Sequence, residues 1–144
     1  MNTWIEFLRR INHELTFNQP ASIKSINSVE IELKVQFPQS LKNLLLESDG
    51  VHDEFECDVI WPVERILEEN KNIRIEYLEE RETFNDFLLF SDAGNGDQFA
   101  FSITDGDSDM EEICVWNHED ESREILSSSL NEFIKGWLEG TIEI

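Results

Sequence analysis

The chain has 144 residues, 40% of them hydrophobic, and its aromatics (ten Phe, four Trp, one Tyr) give bulk for one domain around one core. Thirty-two acids against 11 Lys and Arg leave a formal charge of −21, which repels nucleic acid and anionic lipid and attracts basic proteins. No stretch approaches the roughly 18 apolar residues of a membrane span, and Met1 to Phe7 has neither the basic flank nor the unbroken apolar run of a secretion signal, so a cytoplasmic protein is expected.

Thr3 with Glu6 has the spacing of a capping box, and Trp4, Phe7, Leu8 and Ile11 follow at helical spacing, predicting a helix over about residues 3–14. Asn18-Gln19-Pro20 breaks it. A second helix is expected over roughly 23–34, with Ile26, Val29 and Leu33 on one face. Pro38 fits the first turn of a third, because its missing N–H has no partner there in any case. Leu41, Leu44 and Leu45 line its inner face, and Asp49-Gly50 reads as a left-handed C-terminal cap.

The period then changes. Asp58 to Trp61 reads as a short strand stopped by Pro62. Val63 to about Glu69 and residues 73–82 read as two helical stretches. Phe87 to Phe90 is an apolar strand, and Gln98 to Ile103 is its expected antiparallel partner, with Phe99, Phe101 and Ile103 on one face. Gly94-Asn95-Gly96 makes the corner between them, where positive φ is needed. Glu112 to Trp116 is the next strand. Ser129 and Glu132 form a second capping box, before a helix striped by Leu130, Phe133, Ile134, Trp137 and Leu138. Helices first, strands next and a helix last predict an α+β fold. It is expected as a single domain over 1–144, with a mixed or antiparallel curved sheet flanked by N-terminal helices and a C-terminal helix. The strands at 59–61, 87–90, 98–103 and 112–116 are expected to share one sheet. All four Trp are expected in the core.

No constellation for catalysis or metal binding emerges. Asp105, Asp107 and Asp109 alternate like the opening of a calcium loop, but Met110 stands where Gly should and Trp116 where Glu should, so the segment reads as a solvated turn. Gly94-Asn95-Gly96 lacks the GK[ST] and following helix of a phosphate loop, and Asp92 and Asp97 beside it would repel phosphate. His13, His52 and His118 are scattered, and 117–120 reads as a surface loop. Cys57 and Cys114 lack a CxxC partner and are expected as buried or semi-buried free thiols. The excess acid is uneven. Residues 47–58 hold six acids and no Lys or Arg; residues 105–124 hold nine acids and one Arg. These stretches look like loops and strand ends, where partners usually bind. The expected partner-binding set is Asp49, Asp53, Glu54, Glu56, Asp58, Asp92, Asp97, Asp105, Asp107, Asp109, Glu119, Asp120 and Glu121.

The ordered phrases Ser28–Leu33, Phe37–Lys42 with Asp49-Gly50, Ile60-Trp61, Leu88–Phe90 leading into Gly94–Phe99, Val115-Trp116 and Ser128–Ile134 resemble the SUKH superfamily, which includes the fungal Smi/Knr-type cell-wall regulators and many bacterial proteins. The likeness covers roughly residues 20–140. The resemblance implies a non-catalytic module with no cofactor, in which Pro38, Gly50, Gly94, Gly96 and Asp97 have structural roles. It also implies a function like that of the bacterial members, which resemble immunity proteins that neutralise polymorphic toxins, many of them nucleases, by direct binding. A basic toxin domain is then the expected partner, not nucleic acid or membrane. The alternative is an intracellular scaffold or regulator of the Smi/Knr kind.

Overall fold

The computed structural model describes residues 3–76, 87–94, 96–102, 112–117, 119 and 122–142. Its helices are α1 (Thr3–Ile11), α2 (Ile23–Leu33), α3 (Gln39–Glu47), α4 (Val63–Glu76) and α5 (Leu130–Glu139). Strands β1 (Thr16–Phe17), β2 (Val51–His52) and β3 (Asp58–Ile60) form one antiparallel sheet. Strands β4 (Phe87–Asp92), β5 (Gln98–Ser102), β6 (Ile113–Trp116) and β7 (Arg123–Ser127) form a second, also antiparallel and in chain order. The fold is α+β, as the element pattern predicts, with five helices and two antiparallel sheets among the described residues.

The single shared sheet is corrected: the strand at 58–60 pairs with β2, not β4. The two sheets still touch, and the contact has a local cause. The β4–β5 register shifts between Leu89 and Ser91, so Phe90 has no opposite residue in β5. Its carbonyl instead accepts the Trp61 N–H at 3.0 Å, and the Ser91 hydroxyl donates to the Val59 carbonyl at 2.6 Å. The bulge thus joins the end of β3 to β4.

The helices follow their apolar stripes. Ile26, Val29 and Leu33 are the buried face of α2, whose N-cap Ser22 accepts the Ser25 N–H at 3.1 Å. The first helix ends at Ile11, the last residue of its stripe and short of the expected residue 14, because the Asn12 side chain accepts the Glu14 N–H and turns the chain. Its start is held from over forty residues away: the Glu47 carboxylate accepts the N–H groups of Trp4 and Ile5 at 2.9–3.1 Å. Pro38 is the N-cap of α3 rather than a residue of its first turn. The C-cap of α3 is Ser48, in extended backbone, so Asp49-Gly50 is not the expected left-handed cap. Gly50 does take a positive φ of 96° two residues on. A Cβ there would lie 3.0 Å from the Pro62 nitrogen and 3.2 Å from the Ile60 carbonyl oxygen, so the position excludes a side chain twice over.

The two helical stretches expected at 63–69 and 73–82 are one helix through Glu76; residues 77–82 lie outside the described residues. Asn70 in its middle is buried and satisfied. Its amide accepts the Leu89 N–H at 2.9 Å and donates to the carbonyls of Leu89 (2.9 Å) and Ile66 (2.6 Å), fastening α4 to β4. Arg74 donates to the Leu33 carbonyl at the end of α2, and burial lowers its pKa.

Phe99, Ala100 and Phe101 are buried in succession, so both faces of β5 are covered. On one face Phe90 and Phe101 (4.6 Å between ring centres), Phe99 and Phe133 (4.7 Å), and Phe99 and Trp137 (4.9 Å) interlock with α5. Ser129 caps α5 by accepting the Glu132 N–H, while the Glu132 carboxylate accepts from Ser128 instead of closing the box. Trp61 and Trp116 are buried, and Trp4 and Trp137 pack against the core half-buried. Ile103 lies outside the described residues.

Candidate functional site

The β2–β3 hairpin carries the acid-rich stretch, and its loop is tightly organised. One Asp53 carboxylate oxygen accepts the N–H groups of Phe55 (2.8 Å) and Cys57 (3.0 Å). The Asp53 N–H donates to the Cys57 carbonyl, and the Glu56 N–H to the Asp53 carbonyl. Glu56 sits at φ 63°, a left-handed conformation that costs a non-glycine residue about 1–2 kcal/mol. The Glu54 carboxylate accepts from the Asn12 amide at 3.2 Å, bracing the loop from the end of α1. Thr16, His52, Asp53 and Glu56 line a shallow pocket of about 360 Å³ at its side.

Below the loop an arginine gathers the acids. Arg65 of α4 donates to Asp58 at 2.7 Å and to Asp92 at 2.9 Å, lies 3.9 Å from Glu69, and stacks 4.7 Å from the Trp61 ring centre. Asp58 also meets His52 Nδ1 at 2.5 Å. The second oxygen of Asp92 accepts the Gly94 N–H, and its first also accepts from the Trp61 indole. Three carboxylates around one guanidinium leave the cluster negative, and Asp58 and Asp92 already hold partners. Among the described residues no three His, Cys, Asp or Glu side chains gather as metal ligands would.

The thirteen expected partner-binding acids therefore separate by position. Asp49 accepts the Val63 N–H at 2.8 Å and so caps α4. Asp53 locks its loop, Asp58 and Asp92 hold Arg65, and Asp97 is buried beside the corner where Gly94 and Gly96 take positive φ. Glu54, Glu56 and Glu119 are exposed. Asp105, Asp107, Asp109, Asp120 and Glu121 lie outside the described residues. Sequence reasoning missed Arg65, whose role depends on carboxylates from two different sheets. It also missed Phe55, which is 77% exposed at the tip of the acidic loop. The signal for Phe55 was an aromatic inside an Asp-Glu-Phe-Glu run, where no apolar stripe continues. Cys57, expected buried or semi-buried, is exposed on the same loop, because it sits at the hairpin tip outside the apolar cluster; Cys114 is buried in β6 and free.

The geometry describes an acidic loop held by hydrogen bonds to its own backbone and to its neighbours. A family model, SUKH_6 (SMI1-KNR4 cell-wall), matches residues 23–134, and the chain belongs to that family. Domains of this family are in general non-catalytic binding domains. No curated protein matches the chain. The match leaves out α1 and β1, the elements that brace the hairpin. Among the described residues no helix is long and apolar enough to cross a membrane.

Proposed function

We propose that this chain is a cytoplasmic, non-catalytic immunity protein that neutralises a basic toxin domain by direct binding, with the β2–β3 hairpin as part of its recognition surface. The observation that carries this reading is the division among the acids. Asp49, Asp53 and Asp58 build the frame, while Glu54 and Glu56 are left facing solvent on a chain of charge −21. A nuclease toxin needs Lys and Arg to hold phosphate. An acidic surface covers such a groove and speeds encounter by steering. The family's description as cell-wall proteins favours the second reading, an intracellular scaffold or regulator, in which the charge serves solubility.

The test is association kinetics with the toxin domain encoded beside this chain's gene, at several salt concentrations. Steering reaches about one Debye length, roughly 8 Å at physiological salt, so association should slow as salt rises while dissociation changes less. Glu56→Lys with Glu119→Lys should slow association and weaken protection of cells without unfolding the protein. Asp53 and Glu54 are left out of this reversal because their carboxylates hold the loop. Absence of such a toxin gene, or full protection by the double variant, moves the scaffold reading ahead.

A further inference from the structure

We propose that Phe55 is the apolar anchor of this interface, seated in a socket rimmed by Lys and Arg on the basic partner. The inference rests on the immunity reading and names what the exposed acids surround. Among the described residues Phe55 is the one aromatic among the large hydrophobic side chains left exposed, at 77%. It does not sit on a free-moving tip. Its own N–H is held by the Asp53 carboxylate, the following residue is fixed at φ 63°, and Cys57 closes the turn back onto Asp53. A preorganised backbone loses little freedom on binding, which is what an interface hot spot needs.

Its neighbours choose the occupant. Glu54 and Glu56 flank the ring and are exposed, so the socket that receives it must present cations around an apolar floor. A second copy of this chain would bring the same acids and a further −21 of charge against the loop. The segment before Ala21 lies outside the family match, yet Asn12 holds Glu54, and Asn18 meets His52 at 3.1 Å and donates to the Asp49 carbonyl at 2.8 Å. This chain's own N-terminal segment therefore sets the pose in which the ring is offered.

The experiment measures binding of the neighbouring-gene toxin domain to the wild type, Phe55→Ala, Phe55→Trp and the double variant Glu56→Lys/Glu119→Lys. Phe55→Ala should raise the dissociation rate at least about tenfold, with the salt dependence of association unchanged, and Phe55→Trp should keep most of the affinity. The double charge reversal should do the converse, slowing association and flattening its salt dependence. Phe55→Ala with unchanged dissociation, beside a weakened charge variant, overturns the anchor and leaves the immunity reading standing. A wild type that does not bind the toxin domain overturns both. A concentration-dependent dimer that Phe55→Ala abolishes while toxin binding is kept assigns the ring to a second copy and overturns the anchor.

Discussion

The four-stranded and three-stranded sheets share one core but get their geometry in different ways. In the larger one, β6 is buried along its whole length and the rings of Phe90, Phe99, Phe101, Phe133 and Trp137 interlock. In the smaller one the strands are two or three residues long, and side-chain hydrogen bonds at Asp53, Asp58, Asn18 and Ser48 set the geometry. Burial stabilises in proportion to apolar area, whereas hydrogen bonds add little net stability but fix direction. The difference teaches how one chain can hold its fold in one region and shape a surface in another.

The sharpest way to break this division is Phe101→Ala. Phe101 is fully buried, and large-to-small changes of a core Phe lower stability by about 3–5 kcal/mol. Urea unfolding should show that loss while the folded variant binds partner as before. A loss below about 1 kcal/mol would mean that the aromatic cluster does not carry the fold.

Asn70→Ala comes next. It strips the N–H and carbonyl of Leu89 of their partner in a buried place, where an unmet polar group costs about 1–3 kcal/mol. Hydrogen exchange should show the Leu89 amide losing protection before those of β5 and β6. Equal loss everywhere would show that α4 and the sheet open as one unit.

How far the two regions could be read from sequence follows the same division. The stripes of α2, α3 and α5 and the strands at 87–90, 98–102 and 113–116 announce themselves, because burial imposes a period on local sequence. Strands β1 and β2 do not, since two residues carry no period and exist only through pairing with each other and β3. Strand β7 was missed for another reason: as a sheet edge it exposes Arg123, Glu124 and Ile125 in a row, without alternation. The joining of the sheets at Phe90 depends on a bulge, which no residue type declares. The acid-rich stretch at 47–58 was visible in the sequence. Which acids face outward was not, because that depends on Arg65, Val63 and the loop's own N–H groups, which meet Asp49, Asp53 and Asp58 only in space.

Arg65→Met tests the seam between the regions. Arg65 is more than a third exposed, so screening limits the loss to about 1 kcal/mol or less. Its removal leaves Asp58, Asp92 and Glu69 without their shared cation, so added salt should restore stability to the variant more than to the wild type. Equal salt responses would show that the stacking on Trp61, not the charge, is what Arg65 supplies.

The smallest effect concerns the two thiols, one in each region. Burial pushes the Cys114 thiol above its ordinary value of 9.0, with Ser102 and Arg123 pulling the other way. The folded state therefore keeps this proton to higher pH than the unfolded chain does. Stability falls with pH wherever the native state binds more protons, so this contribution is whole below about pH 9 and is lost as pH rises beyond it. The stability gap between wild type and Cys114→Ala should accordingly narrow as pH rises above about 9. A thiol reagent at neutral pH should modify Cys57 at once and Cys114 only as the protein unfolds, since one is exposed and the other buried. Labelling of Cys114 in step with Cys57 would mean that the four-stranded sheet opens locally. A bulky adduct on Cys57 stands two residues from Phe55, so it should also weaken partner binding while leaving the urea midpoint unchanged.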